Sequence, residues 1–207
     1  GQELRLSATT GLISLAGNTD RAVEIMKNTG VALKQAKSFR RGKAMFYEPA
    51  HAIEARDRMR LLNSLRQAFS ADYLFLQYQP FIDLASGRVV GAEALLRWKT
   101  EEGQFVPPDR FIPLAEQSGL MVALGNWVTR SALQFLARLH REGISDFRMA
   151  INVSHVQFRE PDFVEKLEAA IAACQVAPSS IEIELTESVA IENFALIEQK
   201  LVALRRI

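Results

Sequence analysis

The 207-residue chain holds a single cysteine, Cys174. One thiol makes no internal disulfide, so a disulfide-stapled scaffold is excluded. Cys174 lies in an apolar helical pattern and reads as a buried core thiol. The three histidines, His51, His140 and His155, are scattered and read as surface or packing residues. Neither sign of charge dominates. Twenty-five basic and 24 acidic residues leave a formal net charge of +1, and no basic stripe stands out, so a DNA or RNA polymer is not the expected partner. A small anionic ligand is still allowed, because one arginine or a metal suffices. The sequence also lacks a signal-peptide pattern and any apolar run of membrane length. A reducing, cytoplasmic compartment fits, and a membrane anchor would have to lie in segments outside this chain.

About half of the chain is apolar (48%), enough for a sizeable core, and the apolar positions fall into two periods. Residues 4–15 read as one strand or a hairpin and 44–47 as a short strand, with a helix between them on Val23, Met26, Leu33 and Ala36, interrupted by Gly30. Ala55, Met59, Leu62, Leu65 and Phe69 recur at helical spacing. LFLQYQPFID (74–83) and VVGAEALLRW (89–98) read as two strands joined by a Ser86-Gly87 turn, an antiparallel hairpin. Residues 101–110 read as a loop. Helices are expected over 111–117, over 124–140 and around 163–171. RMAINVS (148–154) and IEIELTE (181–187) read as strands, the latter after the Pro178-Ser179-Ser180 break, with a last helix from about Asn193. From residue 89 strands alternate with helices, which argues for parallel βα units.

Strand side chains alternate between faces. Glu93, Leu95 and Arg97 therefore share one face of their strand. Ala150, Asn152 and Ser154 share another, and Glu182, Glu184 and Thr186 a third. Burying an unpaired charge is costly, so the charges within GAEALLRW need partners. Glu93, Asn152 and Glu184 form an oxygen-rich set without His or Cys, which suits Mg²⁺ or Mn²⁺ better than zinc. Clustered carboxylates repel unless a cation or a shared proton intervenes. Arg97 could grip a phosphate bidentately. Blander roles stay open at this point. A strand glutamate can be edge-exposed, Asn152 can end its strand through its own backbone, and Glu93 and Arg97 can be a structural pair.

These strands together resemble the EAL domain, the cyclic di-GMP phosphodiesterase family. FLQYQPFIDLASGRVVGAEALLRW (75–98), with Glu93-Ala94-Leu95, is similar to the family's opening hairpin. VPPDRFIPLAEQSGLM (106–121), NWV (126–128), INVS (151–154) and ELTES (184–188) follow in family order. The resemblance implies metal ligation by Glu93, Asn152 and Glu184, with Glu93 also catalytic. It implies support of an active-site loop by Glu187, and contact with the dinucleotide by Gln79, Leu95, Leu96 and Arg97. It further implies hydrolysis of cyclic di-GMP to linear pGpG at a two-metal Mg²⁺ or Mn²⁺ site, and a homodimer formed through the EAL domain. The implied fold is α/β, a partial (β/α) TIM-like barrel over residues 71–207, reached through a connecting helix at 50–70. Residues 1–49 more weakly resemble the tail of a GGDEF (diguanylate cyclase) domain, with Thr29-Gly30 and Lys34 departing from its pattern. The family's Asp-Asp-Phe-Gly strand would follow Ile207, and about four of eight barrel strands are in view. The expectation is a slice of a longer tandem protein whose parent is the enzyme, the chain alone being inactive. A non-catalytic cyclic di-GMP receptor is the alternative.

Overall fold

A glycine decides how the first helix meets its strand. A Cβ on Gly11 would lie 2.5 Å from Leu33 N and from Thr29 O, so only glycine lets the helix backbone come that close. Gly11 sits in β1 (Thr10–Leu12), and the helix is α1 (Ala22–Phe39). The computed structural model describes residues 7–15, 21–39, 41–185 and 194–207. The chain divides into two compact units, Gly1–Asn63 and Ser64–Ile207.

In the first unit β1 pairs in parallel with β2 (Ala44–Phe46), Gly11 opposite Met45. Helix α1 packs on the pair and buries Ala32 and Ala36. It runs unbroken through Gly30. The apolar face expected for α1 is only partly covered. Val23 and Met26 are 78% and 74% exposed, so in this unit burial is confined to the helix's second half. Helix α2 (Pro49–Ser70) starts on a proline, whose missing N–H costs nothing in a first turn. It begins in the first unit and ends in the second, where Leu65 and Ala68 are buried.

The second unit is built on an open sheet ordered β3-β4-β6-β7, with β5 paired to β4. Strands β3 (Leu74–Ile82) and β4 (Val89–Lys99) form the expected antiparallel hairpin. Its turn is closed by Asp83, whose Oδ1 accepts from Ser86 N (2.7 Å) and Ser86 Oγ (2.6 Å). Gly87 supplies the positive φ of 68°. Strands β4, β6 (Arg148–Val153) and β7 (Ile181–Leu185) are mutually parallel, as the strand–helix alternation required. The short β5 (Phe105–Val106) lies inside the segment read as a loop, and α3 (Pro108–Ser118) begins at its end.

Alternation splits β4 into a core face and a site face. Ala92, Ala94, Leu96 and Trp98 are buried, beside Met149, Ile151 and Val153 of β6. Trp98 meets Phe111 of α3 edge to face, ring centroids 5.6 Å apart. Removing an aromatic buried like this costs about 3–5 kcal/mol. Helix α4 (Leu120–Arg141) adds Leu124, Val128, Leu133 and Leu136 to this core.

Short helix α5 (His155–Arg159) follows β6, its Ser154 N-cap side chain accepting from Gln157 N at 3.2 Å. Then come α6 (Phe163–Cys174) and, after β7, α7 (Phe194–Leu204). Lys200 of α7 is buried and donates to the carbonyls of Phe158 (2.7 Å) and Glu160, which ties α7 to the end of α5. Cys174 is half-buried at the end of α6 rather than fully in the core. Burial still pushes its thiol pKa up. His155 Nδ1 lies 3.5 Å from Glu116 Oε1, and His140 Nε2 is 3.2 Å from Phe147 O, packing roles as read from the sequence. His51 lies in α2.

Candidate active site

The strand register brings distant residues to one place. Paired residues share a face, so Glu93 of β4 stands opposite Gln79 of β3 and beside Ala150 of β6. Two residues further along β6, Asn152 is paired with Glu184 of β7. The amide of Asn152 donates from Nδ2 to Glu93 Oε1 at 2.5 Å. Glu93, Asn152 and Glu184 thus come from three neighbouring parallel strands and project from one face. That face is the more open one. Glu93 and Glu184 are half-buried and Asn152 is exposed.

The electrostatics match this crowding. Burial raises the Glu184 carboxyl above its ordinary pKa, and the charges of Glu93 and Glu182 push it further up. Glu182 lies one alternation step back on the same face, paired with Ala150, and is exposed. Among the described residues no three His, Cys, Asp or Glu side chains group together. The donor set here is two carboxylates and one amide. Its oxygens suit a hard divalent cation, and a positive charge between Glu93 and Glu184 would relieve their repulsion. The residues present therefore fit such an ion.

Arg97 is not the partner of Glu93. They stand four residue steps apart along the strand, about 13 Å of rise, and among the described residues no ion pair joins them. Arg97 Nε donates instead to Gln77 Oε1 at 2.9 Å, and Nη1 to Leu96 O at 3.0 Å. Gln77 was not singled out in the sequence. Its signal is the two-residue spacing from Gln79, which puts both amides on the site face of β3. Leu95 is half-buried on that face, paired with Gln77. Leu96 points the other way, into the core, 8% exposed. From there only its backbone can face the site. Glu187 lies outside the described residues.

A family model described as "EAL domain" matches residues 62–207. The chain belongs to the EAL domain family. The matched EAL segment contains every site residue named above. The cyclic di-GMP phosphodiesterase NbdA of Pseudomonas aeruginosa is 33% identical over 207 residues, covering 100% of this chain and 26% of its own length. The bifunctional diguanylate cyclase/cyclic di-GMP phosphodiesterase MucR of the same organism is 34% identical over 191 residues, 92% of this chain and 28% of its own. The chain therefore spans little more than a quarter of these two relatives. Among solved EAL structures, the MucR phosphodiesterase in complex with cyclic di-GMP superposes with a TM-score of 0.64 at 34% identity, over 70% of this chain and 60% of that one. The EAL enzyme Bd1971 with bound cyclic AMP and cyclic di-GMP gives 0.70 at 28% identity, over 91% and 50%. No helix among the described residues is long and apolar enough to cross a membrane.

Proposed function

We propose that this chain is part of a longer, cytoplasmic signalling protein that hydrolyses cyclic di-GMP to linear pGpG. The observation that carries the reading is the juxtaposition of Glu93, Asn152 and Glu184 on one sheet face. Glu93, Asn152 and Glu184 would hold Mg²⁺ or Mn²⁺. When bound, such ions polarise the phosphate and lower the pKa of the attacking water. Arg97, already oriented by Gln77, grips a phosphate oxygen. Gln79 sits level with Glu93 and contacts the nucleotide, with Leu95 lining the same face and Leu96 contributing through its backbone. Glu187 supports a loop of the site. The water oxygen bonds to phosphorus, the P–O3′ bond breaks, and the proton ends on the leaving 3′ oxygen.

The open sheet is the first half of a (β/α) barrel, residues 71–207, entered through the 50–70 helix. Residues 1–49 are the tail of a GGDEF-like domain. That assignment rests on the resemblance of the 1–49 sequence alone. The parent associates as a homodimer through its EAL domain. A non-hydrolysing cyclic di-GMP receptor is the second reading, favoured only by the Thr29-Gly30 and Lys34 departures of the preceding segment.

The test is product analysis. The parent protein is incubated with cyclic di-GMP, with and without Mg²⁺, and the nucleotides are separated. Metal-dependent pGpG supports the enzyme. Tight binding with the dinucleotide left intact supports the receptor, and neither binding nor turnover sinks both.

A further inference from the structure

Two phenylalanines meet over the end of β4. Trp98 is paired on both edges, with Leu74 of β3 and Val106 of β5. Phe75 stands opposite Arg97 on one edge, and Phe105 stands opposite Lys99 on the other. By register all four residues lie on the face that carries Glu93. The two rings approach edge to face across the strand, centroids 6.2 Å apart at 64°. Phe105 is 60% exposed, and Lys99 Nζ lies 5.9 Å from its ring centroid. Neither ring belongs to the core on the opposite face.

We propose that Phe75, Phe105 and Lys99 form the seat of one guanine base. The inference rests on the reading of the neighbouring site as one for cyclic di-GMP. In that dinucleotide each phosphate is flanked by guanosines, so a base must lie one nucleoside away from the phosphate held by Arg97. A planar base stacks on an aromatic ring whatever its identity, so the phenylalanines supply affinity. The guanine edge presents O6 and N7 as adjacent acceptors, which a lysine ammonium can address. Adenine presents a donor in place of O6, so Lys99 supplies selectivity.

The experiment measures cyclic di-GMP and cyclic di-AMP affinity by calorimetry on the parent protein and four variants. Phe105→Ala and Phe75→Ala should each weaken cyclic di-GMP binding roughly tenfold to a hundredfold, and Phe105→Tyr, which keeps the ring, should restore it. Lys99→Met should narrow the preference for the guanine dinucleotide. A wild-type parent with no affinity for cyclic di-GMP overturns the seat together with the reading it rests on. Wild-type affinity that neither alanine variant disturbs overturns the seat alone. Equal loss in Phe105→Ala and Phe105→Tyr also overturns it, because packing rather than stacking would then be at work.

Discussion

Asn152 donates to Glu93 across 59 residues of sequence, at 2.5 Å. Without a cation this is how the Glu93 carboxylate is satisfied. Asn152→Ala should remove that bond and lower stability in metal-free buffer by about 0.5–1.5 kcal/mol, the net worth of an ordinary hydrogen bond. Urea unfolding with a chelator present measures it. An unchanged midpoint would mean that water replaces the amide at no cost.

Divalent ions should stabilise the chain. A ligand that binds only the folded state raises stability as its concentration passes its Kd. Thermal unfolding should therefore move upward with added Mn²⁺ and return when the ion is chelated. Glu184→Gln relieves the repulsion with Glu93, so it should raise the metal-free midpoint slightly and blunt the response to Mn²⁺. The same response in wild type and variant would place any bound ion elsewhere.

Arg97→Ala should weaken cyclic di-GMP binding by the parent more than metal binding. A charge-assisted bond is worth about 1.5–3 kcal/mol, roughly tenfold to over a hundredfold in affinity. Because Arg97 bonds Gln77 rather than Glu93, its loss strands no carboxylate and should cost little stability. A large fall in thermal midpoint with nucleotide affinity unchanged would assign Arg97 a structural role only.

The β3–β4 turn should give an acid-sensitive contribution. Hydrogen bonds from the Ser86 hydroxyl, then the Ser86 backbone, hold the Asp83 carboxyl below its ordinary pKa. A folded pKa below the unfolded one means stability present above the unfolded value and lost as pH falls through the folded one. The window opens below about pH 4. Asp83→Asn should flatten the stability–pH curve there. Identical slopes for the two proteins would show that the turn does not feel this titration.

The elements were legible because their periods are local. The alternation in GAEALLRW placed Glu93, Leu95 and Arg97 on one face without any knowledge of neighbours. That alternation alone also separates Leu96 from Leu95, a distinction lost when Leu-Leu-Arg is carried over as a block from a resemblance. Register is a different kind of information. That Asn152 pairs with Glu184 and not Glu182 depends on how β6 and β7 slide past each other, and no local pattern encodes it. The same holds for the Gln77–Arg97 bond, a diagonal contact across the hairpin. Val23 and Met26 repeat at helical spacing yet stay exposed in their unit, since periodicity marks an apolar face without saying what covers it. The brief β5 leaves no mark in the sequence pattern, because two residues are too few to show a period.

The most direct test compares two glutamates of the same sheet face. Glu93 bonds Asn152, whereas Glu182 is exposed one step back from Glu184 and beside Ala150. Initial rates of pGpG formation are measured for the parent protein and for its Glu93→Ala and Glu182→Ala variants at saturating Mg²⁺, with folding of each checked by thermal unfolding. The account predicts that Glu93→Ala abolishes turnover while Glu182→Ala keeps most of it. Equal losses from the two, or full activity without Glu93, would contradict it.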